Sequence, residues 1–174
     1  MSEARREPVR ACYPGTFNPP TIAHLAVAHM ASEQLGVDQV VFVVSLQTLG
    51  KDETALPAPA HRAELLKSLT ERHGNRFDVE VSPASLLVDI AAGYDWVIVG
   101  ADKWEQINEL QWYGYEAQRR DEAIAALPNI AIVPRPPFAV PDHREGRVVL
   151  NIADRFSDVS STAVRGGRHD WRAK

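Results

Sequence analysis

Two stretches, one near each end of the chain, carry residue types that handle phosphate. The first is Tyr13-Pro14-Gly15-Thr16-Phe17-Asn18-Pro19-Pro20-Thr21-Ile22-Ala23-His24. It reads as a strand end, a Gly/Pro turn and a helix start bearing a hydroxyl and an imidazole. Gly15 lets backbone come close to a bound group, and Thr21 and His24, three residues apart, share one face of the first helical turn. Unpaired N–H groups and the positive dipole end at a helix start favour an anion. The second is Val159-Ser160-Ser161-Thr162-Ala163-Val164-Arg165. Consecutive hydroxyls at a helix start offer O–H and N–H donors together, and Arg165 projects from the same turn. Taken singly, each has a plainer meaning. Thr21 can be an N-cap with His24 a half-buried helix residue, and Ser160 to Arg165 a capped surface helix.

The elements that must position these residues alternate along the chain. Val9 to Tyr13, Gln39 to Ser45, Phe77 to Val81, Trp96 to Val99, Ile130 to Val133 and Val148 to Asn151 read as strands. Thr21 to Leu35, Ala60 to His73, Pro83 to Ala92, Asp102 to about Ala126 and the start at Ser160 read as helices, with glycines closing several of them. Polar, Pro-containing loops run from Leu46 to Pro59 and from Arg135 to Glu145. This order predicts an α/β fold: a Rossmann-like, doubly wound parallel sheet in three layers, as a single domain over residues 1–174. Such sheets bind ligands at the carboxyl edge where the winding reverses, which sets the turn at Gly15 against the strand end Gly100-Ala101-Asp102.

Composition narrows the partners. The 174 residues carry a net charge of −4, which gives no global reason to bind nucleic acid or an anionic membrane. The single cysteine, Cys12, excludes an internal disulfide and falls in a predicted core strand, where a buried thiol is expected. The charged N-terminus lacks a signal-peptide core and no apolar run approaches membrane-spanning length, so a cytoplasmic protein acting on small molecules is expected. The oligomeric state stays open, a homo-oligomer included.

Together, Gly15-Thr16-Phe17-Asn18-Pro19, Thr21 to His24 and the distal Ser160 to Arg165 resemble the signature of the HxGH-type nucleotidyltransferase superfamily over nearly the whole chain. Two features depart from it. Ala23 stands where glycine is usual before the second histidine, and Gly166-Gly167 ends the distal helix early. Within the superfamily, Gly100-Ala101-Asp102-Lys103-Trp104, Gln111-Trp112-Tyr113, Val133-Pro134-Arg135-Pro136, the His61-Arg62-Ala63-Glu64-Leu65-Leu66 segment and the basic Lys51 resemble nicotinate/nicotinamide mononucleotide adenylyltransferases. Tyr13 to Phe17 and Tyr115-Glu116-Ala117-Gln118 also resemble phosphopantetheine adenylyltransferase.

The resemblance implies direct in-line transfer of an adenylyl group from ATP to an acceptor phosphate, with release of pyrophosphate. His24, Thr21 and Arg165 are then the catalytic residues. ATP is met by Gly15, Thr16, Phe17, Asn18, Thr21, His24, Gly100, Asp102, Ser160, Ser161, Thr162 and Arg165. The acceptor is met by Lys51, Asp102, Trp104, Trp112 and Arg135. A Mg2+ ion is expected to be held mainly through the ATP phosphates, with no dedicated protein cage. Other readings of these residues stay open: Asp102-x-x-Glu105 is also a capping box, Trp104 and Trp112 also suit core anchors, and Arg135 also suits a loop charge. A catalytically weak nucleotide-binding regulator on the same fold is a further alternative.

Overall fold

Val40 to Val44 form an unbroken apolar run, and such a strand is stable where both its faces are covered. The computed structural model, which describes residues 6–47 and 56–174, covers them. Strands β1 (Arg10–Gly15), β2 (Gln39–Ser45), β3 (Phe77–Ser82), β4 (Trp96–Gly100), β5 (Asn129–Val133) and β6 (Arg147–Val149) form one six-stranded sheet. Its order is β3-β2-β1-β4-β5-β6 and every pairing is parallel. The winding reverses between β1 and β4, as a doubly wound sheet requires.

Alternate strand residues point to opposite faces, and the helices sort accordingly. One face carries Ala11, Tyr13, Val40, Phe42 and Val44 under helices α1 (Ile22–Leu35) and α2 (Pro59–Thr70). The other carries Cys12, Val41, Val43, Val97 and Val99 under α3 (Leu87–Ile90) and α4 (Ala101–Ile107). Phe42 and Leu66 are fully buried, and burial of side chains this size stabilises by about 1.5–3 kcal/mol each. Cys12 is buried too. Burial pushes its thiol up to about 12, so it stays protonated and inert at neutral pH.

Three elements differ from the sequence expectation, each for a local reason. The helix expected over 102–126 is three pieces: α4, a 3-10 turn at Leu110–Tyr113 and α5 (Ala117–Ala125). Asn108 Nδ2 donates to the Trp104 carbonyl, the Tyr113 hydroxyl donates to the Ile107 carbonyl, and Gly114 and Tyr115 turn the chain at φ 65° and 63°. The helix expected over 83–92 shrinks to α3 because Ala84 is held by two serines. Ser82 Oγ accepts its N–H and Ser45 Oγ donates to its carbonyl. Strand β6 stops at Val149, and Asn151 instead exchanges two backbone bonds with the Gln34 side chain of α1.

Candidate active site

The sequence lays the first phosphate-type segment along the carboxyl edge of β1. Gly15 and Gly100 each lie three residues beyond the paired Cys12 and Val97, so the ends of β1 and β4 stand side by side where the winding reverses. A side chain at either end would meet a neighbouring side chain, the buried Phe17 ring at Gly15 and the movable, partly exposed Asp102 carboxylate at Gly100. A Cβ on Gly15 would come 2.7 Å from Cζ of Phe17, and one on Gly100 would collide with the Asp102 carboxylate. Phe17, held at φ 48°, is 1% exposed. Its ring meets Tyr13, Phe42 and His24 edge to face, with centroids 5.7, 5.5 and 5.0 Å apart. The buried Phe17 ring forms the floor under His24.

Thr21 and His24 form a reciprocal cap at the start of α1. The Thr21 N–H donates to His24 Nδ1 at 2.9 Å, and the His24 N–H donates to Thr21 Oγ1 at 3.4 Å. With Nδ1 accepting, the network assigns the ring proton to Nε2. The helix start therefore presents a fixed N–H donor on the imidazole. No acidic residue occupies the first turn of α1, so its positive end is not neutralised from within. Thr21 itself is completely buried, and its side chain and N–H are both engaged by His24. Part of that burial comes from the chain's end. The Ala173 N–H donates to the Pro20 carbonyl at 3.1 Å, and Arg172 bridges to Thr21. Ala23 is only 8% exposed, so its methyl is packed into the fold.

The second motif docks on the first. Ser160 caps helix α6 (Ser161–Arg165) by accepting the Ala163 N–H. Ser161 Oγ then donates to the Pro19 carbonyl at 2.8 Å. Arg165 donates to the Asn18 carbonyl and to Thr162 Oγ1, the latter at 3.1 Å. Segments 142 and 147 residues apart thus share one surface.

Across the edge, Asp102 pairs with Arg135 at 3.4 Å, both partly exposed. Tyr13, 6% exposed, lies between the two halves of the site. Its ring centroid is 6.2 Å from that of His24, and the charges of Arg135 and Asp102 pull its pKa in opposite directions. Burial dominates, raising the phenol to about 12 and keeping it neutral. The two tryptophans separate. Trp112 is half-buried, and its indole N–H is buried with no acceptor among the described residues. Trp104, expected at the acceptor, packs against the α3/α4 core with the Arg147 guanidinium 5.4 Å from its ring centroid. Lys51 lies outside the described residues.

Sequence reasoning missed Arg62 as a part of the site. It is 2% exposed and donates to the carbonyls of Thr16 at 2.8 Å, Pro57 at 3.1 Å and Ser45 at 3.5 Å. The guanidinium ties the phosphate-type turn to the end of β2 and the approach to α2. A signal was available: Arg62 shares with Leu66 and Thr70 the four-residue spacing of a core-facing stripe.

A family model described as cytidylyltransferase-like matches residues 12–167, and the chain belongs to that family. It is a nucleotidyltransferase. Among similar curated proteins is the probable nicotinate-nucleotide adenylyltransferase of Bacteroides thetaiotaomicron, 29% identical, with the match covering 88% of this chain and 78% of that protein. The protein of the same description from Salinibacter ruber is 27% identical, the match covering 91% and 85%. In structure, the chain is similar to Plasmodium falciparum nicotinic acid mononucleotide adenylyltransferase complexed with APC. The TM-score is 0.62 at 14% identity, over 91% of this chain and 83% of that one, a likeness of fold. No helix among the described residues is long and apolar enough to cross a membrane.

Proposed function

We propose that the protein transfers the adenylyl group of ATP to the phosphate of nicotinate mononucleotide, or of its nicotinamide counterpart, releasing pyrophosphate as a step of NAD biosynthesis. The observation that carries the reading is the junction of the two motifs, with Ser161 and Arg165 bonded to the carbonyls of Pro19 and Asn18 in the turn that leads to His24. The names of the curated relatives support a pyridine mononucleotide as acceptor.

In this reading an oxygen of the acceptor phosphate attacks the α-phosphorus of ATP. A new P–O bond forms as the bond to the β-phosphate bridging oxygen breaks, and the electron pair leaves with pyrophosphate. The protein's work is orientation and neutralisation of charge. His24 gives its Nε2–H to the α-phosphate and bridging oxygen, held in aim by Thr21. Ser160, Thr162 and Arg165 meet the β- and γ-phosphates, with Ser161 fixing their helix to the turn. The Gly15 to Asn18 backbone and Gly100 line the nucleotide's approach. Asp102 accepts ribose hydroxyls, Arg135 and Lys51 meet acceptor phosphate, and Trp112 stacks the pyridine ring. In this reading a Mg2+ ion is held mainly through the triphosphate oxygens and water, where it would offset phosphate charge.

The test is a pyrophosphate-release screen with ATP or CTP against nicotinate mononucleotide, nicotinamide mononucleotide and phosphopantetheine. Turnover with ATP and a pyridine mononucleotide is expected. Turnover with phosphopantetheine alone overturns the acceptor, and ATP binding without release from any acceptor marks a regulator.

A further inference from the structure

A cavity of about 520 Å3 opens on the flank of the molecule, with none of the crevice residues named above in its lining except Trp104. Trp104, Asn108, Arg120, Asp121, Arg144 and Arg147 supply its polar and aromatic walls. Three arginines gathered at one cavity are notable in a chain of net charge −4.

Two of them are forced together by the backbone. The Arg147 N–H donates to the Arg144 carbonyl at 2.9 Å and the Arg144 N–H to the Arg147 carbonyl at 3.3 Å, closing a turn through Gly146 at φ 73°. Residues opposed in this way put their side chains on one face, with Cβ atoms roughly 5 Å apart, and like charges so placed repel. Neither forms an ion pair with a carboxylate among the described residues. Arg147 is 8% exposed, and its Nε and Nη2 both go to one backbone carbonyl, that of Asp142, at 3.0 and 2.7 Å. Burial and the neighbouring Arg144 both act against its charge, and the Asp142 carboxylate offsets them in part. The third arginine, Arg120, is paired with Asp121 at 2.8 Å, which occupies the cavity's one carboxylate.

Two guanidiniums set on one face repel in the empty protein, and an anion between them removes that repulsion. Arginine forks match phosphate oxygens in pairs. The volume falls within the range of small-molecule sites, roughly 300–1,000 Å3, and exceeds what a single inorganic phosphate fills. We propose that the cavity between α4, α5 and the Arg144–Arg147 turn is a second anion site, which takes a phosphate-bearing small molecule independently of the transfer crevice. Trp104 forms its apolar wall.

Inorganic pyrophosphate is a suitable probe, titrated calorimetrically at fixed ionic strength into the wild type, Arg144→Gln and the control Arg72→Gln on an exposed turn. The wild type and the control are expected to show a site beyond the transfer crevice. Arg144→Gln is expected to weaken that site about tenfold or more, the loss of a charge-assisted contact, with kcat and the KM for ATP unchanged. An Arg144→Gln protein that titrates like the wild type overturns the proposal. So does a wild type whose second site takes citrate as tightly as pyrophosphate.

Discussion

Replacing His24 by alanine is expected to lower kcat by about a hundredfold to a thousandfold, the usual cost of removing one preorganised donor to a developing oxyanion. The imidazole is oriented from behind by the Thr21 N–H, with its ring edge to face on Phe17, so Nε2–H is aimed before substrate arrives. Alanine also removes one cap bond from a buried residue, which costs about 1–2 kcal/mol of stability. The two effects are separable with His24→Gln. Glutamine at the third helical position accepts the N-cap N–H as histidine does, so this variant should regain the wild-type melting temperature while its kcat stays low. Steady-state rates and thermal unfolding of both variants decide the matter. A His24→Gln protein with near-normal turnover would remove the imidazole from the chemistry.

The second large effect is on the fold beneath the site. Replacing Arg62 by methionine, which keeps much of its length, leaves the carbonyls of Thr16, Pro57 and Ser45 without their shared donor. Each unsatisfied buried acceptor costs about 1–3 kcal/mol, softened where water enters, so a loss of about 2–4 kcal/mol is expected. For a chain of this size that corresponds to a fall in Tm of about 5–15 °C. Arg62→Lys restores the charge but not the planar fork that reaches three carbonyls, and recovers only part of the loss. A Tm within about 2 °C of the wild type for Arg62→Met would show that the guanidinium does not hold the turn.

The sheet and the two phosphate-type motifs were legible because their signals are local. Val40 to Val44 declare a strand covered on both faces. Thr21 followed three residues later by His24 declares a capped helix start, and Ser160 to Arg165 declares another. What stayed hidden depends on contacts between distant segments. The break after Ile107 uses the Tyr113 hydroxyl and the Asn108 amide, and the closing of the tail over Thr21 uses main-chain groups of Pro20 and Ala173, which leave no trace in residue type. Trp104 and Trp112, eight residues apart, suited one helix and one acceptor site. The turn between them sends Trp104 to Arg147 and leaves Trp112 with an unpaired N–H. Arg62 was visible as a charge on a core-facing stripe, and its meaning came only with the three carbonyls it joins.

The proposed reaction is a single displacement at phosphorus between two bound nucleotides, in which the protein positions and neutralises but never bonds to the adenylyl group. The most direct measurement is the stereochemical course of the reaction with ATP made chiral at the α-phosphorus by sulfur and oxygen isotopes, with nicotinate mononucleotide as acceptor. Inversion at that phosphorus is the predicted result; retention would require an adenylyl-protein intermediate and would rule out the single displacement.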